Sequence, residues 1–247
     1  MRLANPSGGL LWHWRAWRSQ ARWAATTAQI AAWLQQVHPQ SDELLLIGAS
    51  AGWMLPSAWL QQFKKIEIWD LDVWAPLFFS HRHGRTLKKA GVSWHYHRGD
   101  ALQQLPQLLQ NQPQALVFFD NVLGQLRFMS AHRNSVQQVQ QTEQRLREIV
   151  QQLQGRHWAS IHDRLSGPVD SLTAARAMPS TRSTTVPSEA RQQMRLDRAW
   201  LNVLGAQGEW LDHLTASVFA PGQTVRDLAW PFKADYWHWL QAGEVRA

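Results

Sequence analysis

The sequence predicts an α/β protein, a doubly wound and mostly parallel sheet with helices on both faces and a strand pair near the C-terminus. Three observations predict it. Short apolar stretches alternate with helical ones through residues 43–165. The apolar stretches are short, as the strands of a parallel sheet covered by helices on both faces are. Successive strands end in acids, Asp70, Asp100 and Asp120, and the carboxyl ends of parallel strands open on one crevice. With 247 residues, the chain reads as a single domain over 1–247, with a helical extension at 1–40 and a loop or lid insert at 166–190.

Each element has its own justification. Residues 11–37 hold no glycine or proline and stop before Pro39, which predicts a leading helix. "ELLLIGAS" (43–50) is the first strand, and residues 53–64 follow as a helix whose first turn tolerates Pro56. "KIEIWDLD" (65–72) is the second strand, and residues 73–90 are helical or irregular. "GVSWHYHRGD" (91–100) is the third strand, followed by a short helix or turn at 101–111. "QALVFFDNVLG" (114–124) is the fourth. In residues 135–154, Val136, Val139, Leu146, Ile149, Val150 and Leu153 recur at helical spacing, and Gly155 suits the stop. "RHWASIHDRL" (156–165) is the fifth strand. A Ser-, Thr- and Pro-rich stretch then precedes a helix over 188–205, capped by Ser188. Two strands, near 224–230 and 235–241, close the chain.

Composition excludes several classes. There is no cysteine, so disulfides, thiolate metal sites and cysteine nucleophiles are ruled out. No apolar run approaches transmembrane length, and the N-terminus lacks a signal segment, so a cytoplasmic protein is expected. The net charge of +7 points toward polyanions or anionic lipids.

The stretch "LLLIGASAGW" (44–53) admits two chemistries. Gly48, Ser50 and Gly52 spell G-x-S-x-G, the turn that mounts a hydrolase serine. They also form a strand–glycine turn of the kind that holds a nucleotide cofactor. A serine elbow sits deeper in its chain, after an oxyanion loop that the first 47 residues lack. The cofactor reading also accounts for Asp70, 22 residues after Gly48, at the distance where an acid accepts hydrogen bonds from ribose hydroxyls. A dinucleotide is the lesser cofactor, because Leu55 stands where a third glycine belongs.

The ordered set of strand ends resembles the class I S-adenosylmethionine-dependent methyltransferases, a Rossmann-like superfamily, over residues 40–165. The resemblance implies S-adenosylmethionine as cofactor. By it, Gly48, Ser50 and Gly52 let the backbone approach the methionine moiety, Asp70 holds the ribose with Asp72 as competitor, and Asp100 lies near adenine. Asp120 and Asn121 line the methyl-transfer position. The sequence departs from the family in two places: Ile47 replaces the acid before the first glycine, and Ser50 stands where glycine is common.

The acceptor is not legible. "DNVL" (120–123) is not the box of amino-methylating DNA enzymes, and without cysteine the C5 pyrimidine route is closed. RNA or another polyanion is the acceptor class that the charge favours, and "WHWRAWR" (12–18) interleaves aromatics with arginines as a stacking surface does. The same tryptophans also suit a helix packed on the sheet. Asp212 and His213 are candidate catalytic residues for an acceptor pocket, with His238 nearby. His95 and His97 share a strand face, but no metal is expected. The alternatives to methyl transfer are a non-catalytic Rossmann-like nucleic-acid-binding module and a serine hydrolase using Ser50.

Overall fold

The computed structural model describes residues 8–129, 136–170, 172–173 and 180–246. Helix α1 (Leu10–Leu34) leads into strand β1 (Glu43–Ile47). A short helix α2 (Ser57–Leu60) precedes β2 (Lys65–Asp70). Helices α3 (Ala75–Phe79) and α4 (Arg85–Lys89) are joined by a π-helical turn at Ser80–Gly84 and lead to β3 (Ser93–Arg98). Then come α5 (Ala101–Asn111), β4 (Leu116–Asp120), α6 (Val122–Met129), α7 (Val136–Gln152) and β5 (Trp158–Pro168). Strand β6 (Thr181–Thr185), helix α8 (Ala190–Val203), the two-residue strand β7 (Leu211–Asp212), β8 (Thr224–Trp230) and β9 (Tyr236–Val245) complete the order.

The strands lie in the order β3-β2-β1-β4-β5-β9-β8-β6, with β7 beside β5. Strands β1 to β5 pair in parallel, and β9 inserts antiparallel between β5 and β8. This is a Rossmann-like, doubly wound sheet whose order reverses between β1 and β4, the place where such sheets open a ligand crevice. Alternation along each strand divides the core. Leu44 and Leu46 face α1 and α2, while Leu45 and Ile47 face α5 and α7. Trp23, Ile30, Trp33 and Leu34 bury the inner stripe of α1, and Thr26 ties the helix to β8 by donating to the Ala229 carbonyl over 2.7 Å.

Several elements differ from the sequence reading. The helix expected at 53–64 shrinks to four residues, because Gly52 takes a positive φ and Pro56 is extended at ψ 134°. Helix α6 was unexpected within the fourth apolar run. Asn121, at φ 57°, turns the chain out of β4 directly into it. On α7, the buried stripe runs through Gln138, Thr142, Leu146 and Ile149, while Val136 is exposed. The expected Val136–Val139 start therefore misplaces the stripe, and packing on α5 and α6 sets it instead. The stretch 166–190 is less open than a loop or lid. Its first residues extend β5 to Pro168 and residues 181–185 form β6, while residues 171 and 174–179 lie outside the described set. Helix α8 begins at Ala190 with Glu189 as its cap residue, so Ser188 does not cap it.

Candidate functional site

The glycine turn follows β1 at the point of order reversal. Gly48 has φ +78°, and a Cβ there would stand 2.6 Å from Val122 Cβ and 3.1 Å from the Asp120 carbonyl. Its N–H donates to the Trp69 carbonyl over 2.8 Å. Ser50 holds a left-handed φ of 49°, a conformation that needs support in a residue with a Cβ. Three contacts supply it. The Ser50 N–H donates to Asp70 Oδ2 over 2.7 Å, Tyr96 Oη donates to the Ser50 carbonyl over 2.8 Å, and Trp12 Nε1 donates to Ser50 Oγ over 3.1 Å. No imidazole meets Ser50 Oγ among the described residues, so the relay of a serine hydrolase is not assembled there.

Asp70 is the hinge of this arrangement. Its second oxygen accepts the Asp72 N–H over 2.8 Å. Burial raises its carboxyl above the ordinary range against the pull of those backbone amides. Asp72 has a different task. It accepts the Gly9 N–H over 2.7 Å and the Trp74 N–H over 2.9 Å, and its Oδ2 lies 3.0 Å from His13 Nε2. Burial pushes Asp72 up, yet His13 and these amides hold it below its ordinary value. Trp53 Nε1 donates to His13 Nδ1 over 3.1 Å, so the proton of His13 belongs on Nε2, facing Asp72. The leading helix is thus fastened at its N-terminal end over the ends of β1 and β2.

Gly52 faces protein. A Cβ at Gly52 (φ +62°) would stand 2.7 Å from His83 Nε2, which is 3.2 Å from the Gly52 carbonyl. Ser57 Oγ lies 2.7 Å from His83 Nδ1, so His83 is satisfied as a neutral ring. Burial, then the charge of Arg82, push its pKa down to about 4. Asp100 caps α5, accepting the N–H groups of Leu102 and Gln103 over 3.0 and 3.2 Å. Asp120 is buried at the end of β4. Burial, then the charge of Asp70, push its carboxyl up to about 8.

Asn121 connects this crevice to β5. Its side chain donates to Asp163 Oδ2 over 2.9 Å and accepts the Asp163 N–H over 2.8 Å. His238 Nδ1 donates to Asp163 Oδ1 over 2.7 Å. Burial opposes ionisation of Asp163, but His238 and His213 together bring its pKa down to about 2. His213 Nδ1 donates to the Gly124 carbonyl over 2.7 Å, and its Nε2 lies 2.9 Å from Ser166 Oγ. Aromatic rings link the two regions. Phe232 lies 6.2 Å from Trp12, which holds Ser50, and 4.8 Å from His238.

The structure brings Gly48, Ser50, Asp70, Asp72 and Asp120 to one edge of the sheet and sets Asn121 beside them. It separates the candidate pair Asp212 and His213. Asp212 pairs with Arg164 over 2.9 Å, receives the Leu214 N–H, and takes Arg127 on its carbonyl, while His213 turns inward. The sequence reading passed over Asp163. It lies near the level of Asp120, because β4 and β5 pair in parallel with Asp120 opposite Ile161. It was hidden because β5 continues past it. On α1, Trp12 is half-buried and Trp23 and Trp33 are buried, whereas Trp14 and Trp17 are 56% and 63% exposed. Arg18 stacks over Trp14 at 4.9 Å, so α1 carries packed tryptophans on one face and exposed ones on the other. His95 and His97 both turn to Glu67. No described helix is long and apolar enough to cross a membrane.

No family model matches this chain, and no curated protein matches it. Among solved structures it is similar to the methyltransferase domain of bacterial CtHen1-CN, at 11% identity over 90% of this chain and 98% of that one, with a TM-score of 0.42. It is similar to an S-adenosylmethionine-dependent methyltransferase from Anabaena variabilis, at 11% identity over 97% and 96% of the two chains and a TM-score of 0.41. A methyltransferase from Geobacter sulfurreducens, solved with S-adenosyl-L-homocysteine, gives 11% identity over 90% of each chain and a TM-score of 0.39. The strand order and its reversal between β1 and β4, and not these distant likenesses, make the chain a Rossmann-like α/β protein.

Proposed function

We propose that this protein is a methyltransferase that binds S-adenosylmethionine at the carboxyl ends of β1, β2 and β4. One observation carries the reading: Asp70 ends β2 beside the Gly48–Gly52 turn at the order reversal, with its carboxylate fixed by the Ser50 and Asp72 amides. A carboxylate offers about four lone-pair sites, and the two amides occupy two of them. The remaining two fit the vicinal hydroxyls of a ribose. When bound, the cofactor supplies a methyl group on a sulfonium that is its own leaving group, so the chain's task is to orient and to exclude water. Trp12, which holds Ser50, stacks with Phe232, and Asp120, held neutral by burial through most of the physiological range, offers a hydrogen-bond donor at the end of β4. The exposed Trp14 and Trp17 and the stacked Arg18 support a polyanionic acceptor, RNA among them, docking along α1.

Calorimetric titration with S-adenosylhomocysteine tests the cofactor reading. The wild type binds, and Asp70→Ala weakens binding at least about tenfold, since hydrogen bonds to a charged group contribute roughly 1.5–3 kcal/mol each. A folded wild type with no affinity for any adenosyl ligand would leave the sheet serving another purpose.

A further inference from the structure

The geometry points to a divalent metal site formed by Asp163, His213 and His238, for an ion of the zinc, iron, manganese or cobalt type. The donor atoms of the three residues lie within 4.8 Å of one another. His238 Nδ1 is 2.7 Å and His213 Nδ1 is 4.0 Å from the two oxygens of Asp163. An ion with bonds near 2.1 Å needs donor separations of roughly 3.0–3.5 Å, so small side-chain rotations complete the set. Two imidazoles and one carboxylate are a donor set that suits these ions, and they leave positions open for a further ligand.

Three more observations favour an ion over a hydrogen-bonded cluster alone. Asp163 is buried, and its ion-pair contacts among the described residues are with the two histidines. The neighbouring Arg164 turns away to Asp197 and Asp212. A buried carboxylate without a permanent cation is costly, and a divalent ion removes that cost. The Nδ1 atoms of both histidines lie within 4.0 Å of the carboxylate, that of His238 in contact with it and that of His213 shared with the Gly124 carbonyl. Their remaining surroundings also suit metal binding. His213 Nε2 lies 2.9 Å from Ser166 Oγ, which lies 3.2 Å from Tyr236 Oη. When Nδ1 of His213 binds an ion, its proton moves to Nε2, the Ser166 hydroxyl rotates from donor to acceptor, and the Gly124 carbonyl, which loses the Nδ1 proton, is freed to turn to the ion. Asn121, donating to Asp163 Oδ2, fixes the carboxylate plane. The Gly124 carbonyl, 2.7 Å from His213 Nδ1, stands close enough to serve as a further oxygen donor. The site does not depend on the methyl-transfer reading. If that reading holds, the ion lies beside Asn121 at the end of β4, placed to bind an oxygen of the acceptor.

The test uses the full chain, stripped with a chelator and titrated separately with Zn²⁺, Mn²⁺ and Co²⁺ near neutral pH. The expected result is one ion per chain, with visible absorption bands of a nitrogen- and oxygen-ligated Co²⁺. Asp163→Asn and His238→Gln should each weaken binding more than about 100-fold, more than the loss of an orienting partner costs. His95→Gln with His97→Gln should leave it unchanged. His238 is half-buried on β9, so His238→Gln is the variant to read if Asp163→Asn fails to fold. A wild type that takes up none of the three ions overturns the site, as does binding that survives His238→Gln. Adenosylhomocysteine affinity in the same preparations separates this outcome from failure of the cofactor reading.

Discussion

Asp72 Oδ2 lies 3.0 Å from His13 Nε2, and this contact fastens the first turn of the leading helix to the end of the second strand. The same oxygen takes the Gly9 N–H, so one buried carboxylate organises the N-terminal end of α1. Helix α1 and the crevice should therefore be coupled through His13. His13→Ala is expected to cost roughly 1–3 kcal/mol, the penalty for leaving buried polar groups, here Asp72 and Trp53 Nε1, without a partner. Amide exchange should rise across residues 9–16 and remain slow around Trp23 and Ile30. Uniform exchange along the whole helix would show that Asp72 does not act as its fastening.

Gly52 is expected to be intolerant of substitution for a structural reason. Gly52→Val places a β-branched side chain at φ +62°, against His83 Nε2. The variant should lose several degrees of melting temperature before any ligand is added. A fully stable Gly52→Val with altered ligand affinity alone would put the glycine on the ligand side of the turn.

His83 should contribute to acid sensitivity. Its folded pKa, about 4, lies below its ordinary 6.5, so its contribution is present above 6.5 and is lost as pH falls toward 4. His162, pushed down to about 3 by burial, acts in the same direction. His83→Gln should therefore flatten, without abolishing, the fall in stability through this window, as read by urea unfolding at several pH values. Asp163, with a pKa of about 2, loses its contribution only below its ordinary 3.8 and does not confuse the comparison. An unchanged slope would count against a neutral, buried His83.

Asp120 should act in the opposite direction. Its folded pKa of about 8 exceeds its ordinary 3.8, so stability is complete below that value and declines as pH rises toward 8. Asp120→Asn removes the ionisation. It should raise the melting temperature by at least about 3 °C near pH 8 and by much less near pH 5, given that about 1 kcal/mol corresponds to 2–4 °C at this chain length. Parallel decline of both proteins would mean that Asp120 ionises freely.

The outer face of α1 gives the test of a polyanionic acceptor. Trp14→Ser with Trp17→Ser should weaken single-stranded RNA binding by about tenfold or more, since stacking contributes roughly 1–3 kcal/mol per base. Arg18→Glu should weaken it further and lower its salt dependence. RNA binding indifferent to all three substitutions would move the acceptor elsewhere.

The sequence by itself determined the parallel half of the sheet. Leu44 to Ile47 and Leu116 to Phe119 are continuous apolar runs, and burial on both faces leaves them few other solutions. It also determined that Gly48, Asp70 and Asp120 meet at one edge, because parallel pairing brings strand ends together. Tertiary structure decided what each group there is bonded to. Nothing in local spacing shows that His13, 59 residues before Asp72, meets its carboxylate, or that Gly52 is filled by His83. The cluster of Asp163, His213 and His238 was equally hidden. It depends on the antiparallel entry of β9 beside β5, a long-range pairing that sets Ser166 opposite His238. Hydrophobic periodicity fixes which face of an element is buried. Contacts between residues far apart in the chain are chosen only when whole elements pack.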